Sequence, residues 1–227
     1  MRYFHSGAHV ANHIDYQKTM VWPCEPLSPA GTGTQAVHYA LNLSATRLGV
    51  TLPRHVHHTA NWSASCFLMS LRDPAGRLES GMRYELLYPQ YVRPRLKKFG
   101  SVTQLVRSLQ NASRQAQKML DTSRRKVIPW DDGSFFLTEQ NFYLDRLPPE
   151  ANVLFVCEHN LRHDLQLAMQ DAHWDDSLPA AFKRRSSASA HQRTNSTLTP
   201  EDANYVRRLF AKDTALVCKE CGILCDV

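Results

Sequence analysis

Nowhere in the 227 residues is there an apolar run of about 18, the length that crosses a bilayer. The opening MRYFHSGAHVANHIDYQK also lacks the apolar stretch of a secretion signal, so the chain as given is expected neither to span a membrane nor to carry its own export address. No repeat with a period of about 20 to 50 residues recurs, which argues against solenoids and propellers. Charged residues are few, 21% against 43% hydrophobic, so disorder, collagen and coiled coil are disfavoured and a core of ordinary size is expected. Acidic residues are the scarcer sign: 21 Asp and Glu against 27 Lys and Arg leave +6 with histidines neutral. That field attracts anions, whether nucleic acid, acidic sugar or phosphorylated cofactor. A strict nucleotide P-loop, G-x-x-x-x-G-K-[ST], is missing from SPAGTGTQ, so no ATPase is expected.

Cysteine is sparse too, six in all. Cys24, Cys66 and Cys157 are scattered singly, while Cys218, Cys221 and Cys225 crowd the tail as CKECGILC. At this chain length the pattern does not read as a disulfide framework, and three tail cysteines fall short of the four ligands of a zinc site. Residues 218–227 are therefore expected to form a flexible, reducible end. Four sequons, at Asn42, Asn61, Asn111 and Asn195, would suit a lumenal domain, but such short motifs also arise by chance and leave the compartment open.

What is present is an alternation of strand and helix signals. Residues 1–28 read as irregular. Gly31 to Thr34 form a small Gly/Thr turn that leads into a helix through TQAVHYALNLSATRLG. After the His-rich LPRHVHH comes CFLMSL at 66–71, an apolar run of the length of a strand buried on both faces. Asp73 is a good N-cap and Pro74 suits the first helical position, so 74 to about 87 is predicted helical. Val102, Leu105, Val106, Leu109, Ala112, Ala116 and Met119 predict one amphipathic helix between Ser101 and Leu120. VIPWDDGSFF reads as a turn and VLFVC at 153–157 as a second central strand. KRRSSASAHQRTNST at 183–197 reads as an exposed basic loop, followed by a last helix capped by Thr199 with Pro200 at its first position. The pattern as a whole is α/β with a mostly parallel sheet, its main domain spanning 29–217.

The segment richest in chemistry is CFLMSLRDPAGRLESGMRYE. Arg72 follows a buried strand at the carboxyl edge of the sheet, where open α/β folds bind ligands, and its planar fork suits a phosphate. Ser80 would add a hydroxyl if its helix face turns inward. The plainer alternative is a strand-end Arg72–Asp73 ion pair and a surface serine.

LRDPAGRLESGMRY resembles the 3′-phosphate-binding segment of the sulfotransferases that use 3′-phosphoadenosine 5′-phosphosulfate (PAPS), with Arg72, Asp73, Pro74, Arg77 and Ser80 in register. The resemblance implies a three-layer α/β/α, P-loop-NTPase-like fold with a mostly parallel central sheet, in which Arg72 and Ser80 hold the 3′-phosphate and Arg77 supports the helix or makes a secondary contact. PAGTGTQAVHYAL is similar to the family's 5′-phosphosulfate loop, so Gly31, Thr32, Gly33, Thr34 and Gln35 are the expected cradle of main-chain amides. It departs from the family where Gly31 replaces a Lys or Arg and Ala36 a Ser. His57, with His55 as the alternative, is the expected base for the acceptor hydroxyl. EQNFYLD and the strand ending at Glu158 look like later family segments, and Phe210 with Asp213 like the pattern that packs the closing helix on the core.

The expected activity is sulfuryl transfer from PAPS to a hydroxyl, on a glycan or a small molecule, with no metal required and no nucleic-acid partner. Family members that modify glycans usually sit in the Golgi lumen behind an anchor; a chain complete as given would be cytoplasmic. Two other classes stay open. One is a sulfotransferase-like module without catalysis, suggested by Gly31 and Ala36, and the other a polyanion binder using RPRLKK (93–98), SRRK (123–126) and FKRR (182–185).

Overall fold

The computed structural model describes residues 24–27, 37, 40–41, 45–46, 63–87, 96–125, 135–172 and 197–226. Three strands, β1 (Glu25–Leu27), β2 (Cys66–Leu71) and β3 (Asn152–Cys157), pair in parallel in the order β1-β2-β3, with Leu27 opposite Met69 and Leu71 opposite Cys157. The fold is thus a small mixed α/β one built on a parallel sheet. β1 lies inside the stretch expected to be irregular. Three residues containing Pro26 give no alternation to read, and Pro cannot donate to a ladder, which suits the outer place that β1 holds among the described strands.

β2 shows why both sheet faces are covered. Phe67, Met69 and Leu71 point to one face, with Leu27, Tyr143, Leu216 and Val217. Leu68 points to the other, with Val156, the buried Val37, Ala40 and Leu41, and the Leu161–Met169 side of a later helix. Helices on both faces explain why CFLMSL carries no polar alternation.

Helix α1 (Pro74–Leu87) starts as its cap signals predict, Ala75 N–H donating to Asp73 Oδ1 over 3.1 Å. The single helix expected from 101 to 120 is two, α2 (Val102–Gln110) and α3 (Arg114–Arg125). Ala112 between them has φ 50°, and Ser113 Oγ accepts from Ala116 N–H to restart the chain. The apolar spacing hides the break because both helices pack Val102, Leu105, Leu109, Ala116 and Leu120 into one cluster with α1.

Short α4 (Asn141–Leu144) precedes β3, and α5 (Leu161–Asp171) follows it. The last predicted helix also divides, at Phe210, into α6 (Pro200–Leu209) and α7 (Ala211–Cys221). Thr199 Oγ1 accepts from Asp202 N–H, as its cap role requires. No helix among the described residues is long and apolar enough to cross a membrane.

The cysteines correct the sequence reading. All six are paired: Cys24–Cys66, Cys157–Cys221 and Cys218–Cys225. The partners of the first two become neighbours only once β1 lies beside β2 and α7 beside β3, so spacing could not reveal those bonds. The stretch expected to be a flexible end begins inside α7 and is bonded to the sheet through Cys221.

Candidate functional site

Parallel strands deliver their carboxyl ends to one edge, and Arg72 and Glu158 stand there, each the residue after its strand. Arg72 Nη1 lies 3.7 Å from Glu158 Oε1, and both side chains keep some solvent contact, 16% and 12%. A guanidinium that is held but not sealed can still take a ligand. Its course is set by a glycine: a Cβ built on Gly76 would lie 3.1 Å from Arg72 Nε, so the guanidinium lies along the bare side of α1 there. Ser80 is four residues further on, one turn along the same helix face, and is half-buried. Gly76, against which the Arg72 guanidinium lies, and Ser80 thus fall on one stripe of α1.

The backbone of Arg72 is clamped by a side chain 68 residues away. Arg72 N–H donates to Gln140 Oε1 over 3.0 Å, and Gln140 Nε2 donates to the Arg72 carbonyl over 2.9 Å. Gln140 is in turn held by Asp213 of α7, whose Oδ2 accepts from Gln140 N–H over 2.7 Å. Asp213 Oδ1 accepts from Asn141 N–H and Nδ2 over 3.0 and 3.1 Å. Arg77 Nη2 reaches Asp213 Oδ2 at 3.5 Å, and both side chains are fully enclosed, at 1% and 0% exposure. Arg77 Nε and Nη1 are buried without a hydrogen-bond partner among the described residues. Next to this knot, burial pushes the Tyr143 phenol well above its usual range, so it stays protonated.

Asp73 does not pair with Arg72, as the plainer reading had it. Its carboxylate caps α1 and accepts both arms of Arg207 from α6, Nε over 3.1 Å and Nη2 over 2.8 Å. The hydrogen bond to Asp73 raises the pKa of Arg207. An open cleft of about 590 Å³, lined by Glu158, His159, Arg162, His163 and Gln166, lies just beyond the end of β3. Among the described residues no group of three His, Cys, Asp or Glu is arranged to hold a metal ion.

Of the site residues expected from sequence, Arg72 and Ser80 are described and share a face. Gly31, Thr32, Gly33, Thr34, Gln35, His55 and His57 lie outside the described residues. In the sequence Gln140 and Asp213 stand only within loosely similar segments; their joint hold on Arg72 links residues 68 and 73 positions apart and leaves no local trace. Comparison with known protein families, with curated proteins and with solved structures finds no match.

Proposed function

We propose that the protein is a PAPS-dependent sulfotransferase acting on a hydroxyl acceptor, a carbohydrate by preference. The observation that carries this reading is the laying of Arg72 along the α1 face that also bears Ser80, at the carboxyl edge of a parallel sheet. A guanidinium fork and a hydroxyl one helical turn apart suit a phosphate monoester such as a 3′-phosphate. The order and direction of the strands support the rest. β1 ends at Leu27 on this same edge, and Gly31 follows four residues later, a stretch that spans at most about 14 Å.

In this reading Arg72 and Ser80 hold the 3′-phosphate, and residues 31–35 offer main-chain amides to the 5′-phosphosulfate. Bound there, PAPS supplies the sulfuryl group: its S–O bond to the 5′-phosphate breaks as one forms to the acceptor oxygen, adenosine 3′,5′-bisphosphate leaves, and the hydroxyl proton passes to a base. His57 or His55 is proposed as that base. The cleft lined by Glu158, the ion-pair partner of Arg72, offers room for an acceptor, and its Arg162 suits an acidic one.

Labelled sulfate transfer from PAPS to a panel of glycans tests the reading. Wild type is expected to transfer label, and Arg72→Ala to lose most of it. A second reading, a module that binds the nucleotide without turning it over, is favoured by Gly31 and Ala36, where the family has a cation and a hydroxyl. Binding of adenosine 3′,5′-bisphosphate with no transfer to any acceptor would select it. Absence of bisphosphate binding would end both.

A further inference from the structure

We infer that Gln140 and Asp213 are positioning residues for Arg72. β2 and β3 remain paired up to Leu71 and Cys157, after which the Arg72 N–H and carbonyl need new partners. The Gln140 amide supplies one acceptor and one donor to the same residue, imitating the peptide group of a neighbouring strand. Glu would lack the donor and Asn the reach. Fixing both polar groups of the Arg72 backbone fixes the direction of its Cα–Cβ bond, and so keeps the guanidinium over Gly76.

The plainer account is that Asp213 merely neutralises the buried Arg77. The distances argue for more. Arg77 stands at 3.5 Å, whereas the Gln140 and Asn141 amides lie at 2.7 to 3.1 Å, so the carboxylate grips the turn that carries Gln140 more closely than it grips the cation. Gln140 Nε2 donates to the Arg72 carbonyl over 2.9 Å and lies 3.5 Å from Asp213 Oδ2.

The ligand arm of the test rests on the reading of Arg72 as a 3′-phosphate ligand; the exchange arm does not. Wild type, Gln140→Met, Gln140→Glu and Asp213→Asn are titrated with adenosine 3′,5′-bisphosphate and with adenosine 5′-phosphate, and amide hydrogen exchange is followed at Arg72. The variants are expected to lose about tenfold in preference for the bisphosphate while affinity for the monophosphate changes little, and Arg72 N–H exchange should accelerate in Gln140→Met and Asp213→Asn. A purely structural role would weaken both nucleotides alike. Wild-type preference and wild-type protection of Arg72 in Gln140→Met would overturn the inference. If wild type binds neither nucleotide, the functional reading falls, and the Arg72 exchange rate alone decides this one. Should Gln140→Met fail to fold, Gln140→Glu, which keeps the acceptor for Arg72 N–H and loses the donor to its carbonyl, carries the ligand comparison, and Asp213→Asn the exchange one.

A separate observation points to a modification site: we infer that Asn111 carries an N-linked glycan. Asn111-Ala112-Ser113 is a sequon at the turn between α2 and α3, and Asn111 and Ala112 are both exposed. The sequon alone would be weak, but every cysteine is paired, and such bonds persist in oxidising compartments and are rare where glutathione keeps thiols reduced. In eukaryotic cells the oxidising compartment is also where Asn-x-Ser is glycosylated. Protein isolated from its own cells is treated with peptide N-glycosidase in ¹⁸O water and mapped by mass. Conversion of Asn111 to labelled Asp is expected, lost in Ser113→Ala and kept in Ser113→Thr. An unmodified Asn111 peptide, or free thiols on the isolated protein, would overturn the inference.

Discussion

The sheet and the α1–α3 helix cluster are held together by different means. Around α1, α2, α3 and α6 the core is hydrocarbon, with Leu105, Val106, Met82 and Val206 at 0% exposure and the Phe136 ring laid on the bare side of Gly81, and the Asp73–Arg207 pair lies at its margin. The described strands of the sheet, three, six and six residues long, are pinned by Cys24–Cys66, by Cys157–Cys221 and by the Asp213 knot. Apolar packing tolerates shape changes that keep volume, whereas a buried polar knot fails when one member is lost. The candidate site is built on the second kind of support, which fixes direction as well as position.

Reduction should break the comparison most sharply. The Cys24–Cys66 and Cys157–Cys221 bonds join residues 42 and 64 apart in sequence, and opening them should cost about 4 kcal/mol each in the chain-entropy model. Urea unfolding with and without reductant measures the loss, and retention of the oxidised midpoint would mean that packing alone holds the sheet. Asp213→Ala is next: it strands Arg77 in the interior and frees the Gln140 turn, for an expected loss of about 3 to 5 kcal/mol.

On the helix side, Gly81→Ala would drive a methyl into the Phe136 ring, costing about 1 to 3 kcal/mol by chemical denaturation although alanine is the better helix former. Thr199→Ala removes the α6 cap and should cost about 1 kcal/mol, with nucleotide binding unchanged. Gly76→Ala sharpens the contrast. Its Cβ meets only the flexible guanidinium of Arg72, so thermal stability should hold or rise slightly while bisphosphate affinity falls. Equal loss of both would show that Arg72 is fixed by the fold and not by this glycine.

The elements legible in the sequence are those whose signals are local. β2 and β3 are apolar runs, and α1 and α6 carry their caps in adjacent residues, Asp73-Pro74 and Thr199-Pro200. The breaks at Ala112 and Phe210 were hidden because the apolar period continues through them. β1 and two of the three disulfides depend on partners dozens of residues away. At the site, Arg72 and Ser80 were visible through one short motif, whereas Glu158, Gln140 and Asp213 acquire their relation to Arg72 only in three dimensions.

The most direct measurement compares the affinities of adenosine 3′,5′-bisphosphate and adenosine 5′-phosphate by calorimetry, for wild type and Arg72→Ala. If Arg72 receives the 3′-phosphate, wild type prefers the bisphosphate by about 10- to 100-fold and the variant loses that preference while still binding the monophosphate. Equal affinities in wild type, or a preference that survives the loss of Arg72, would contradict the account.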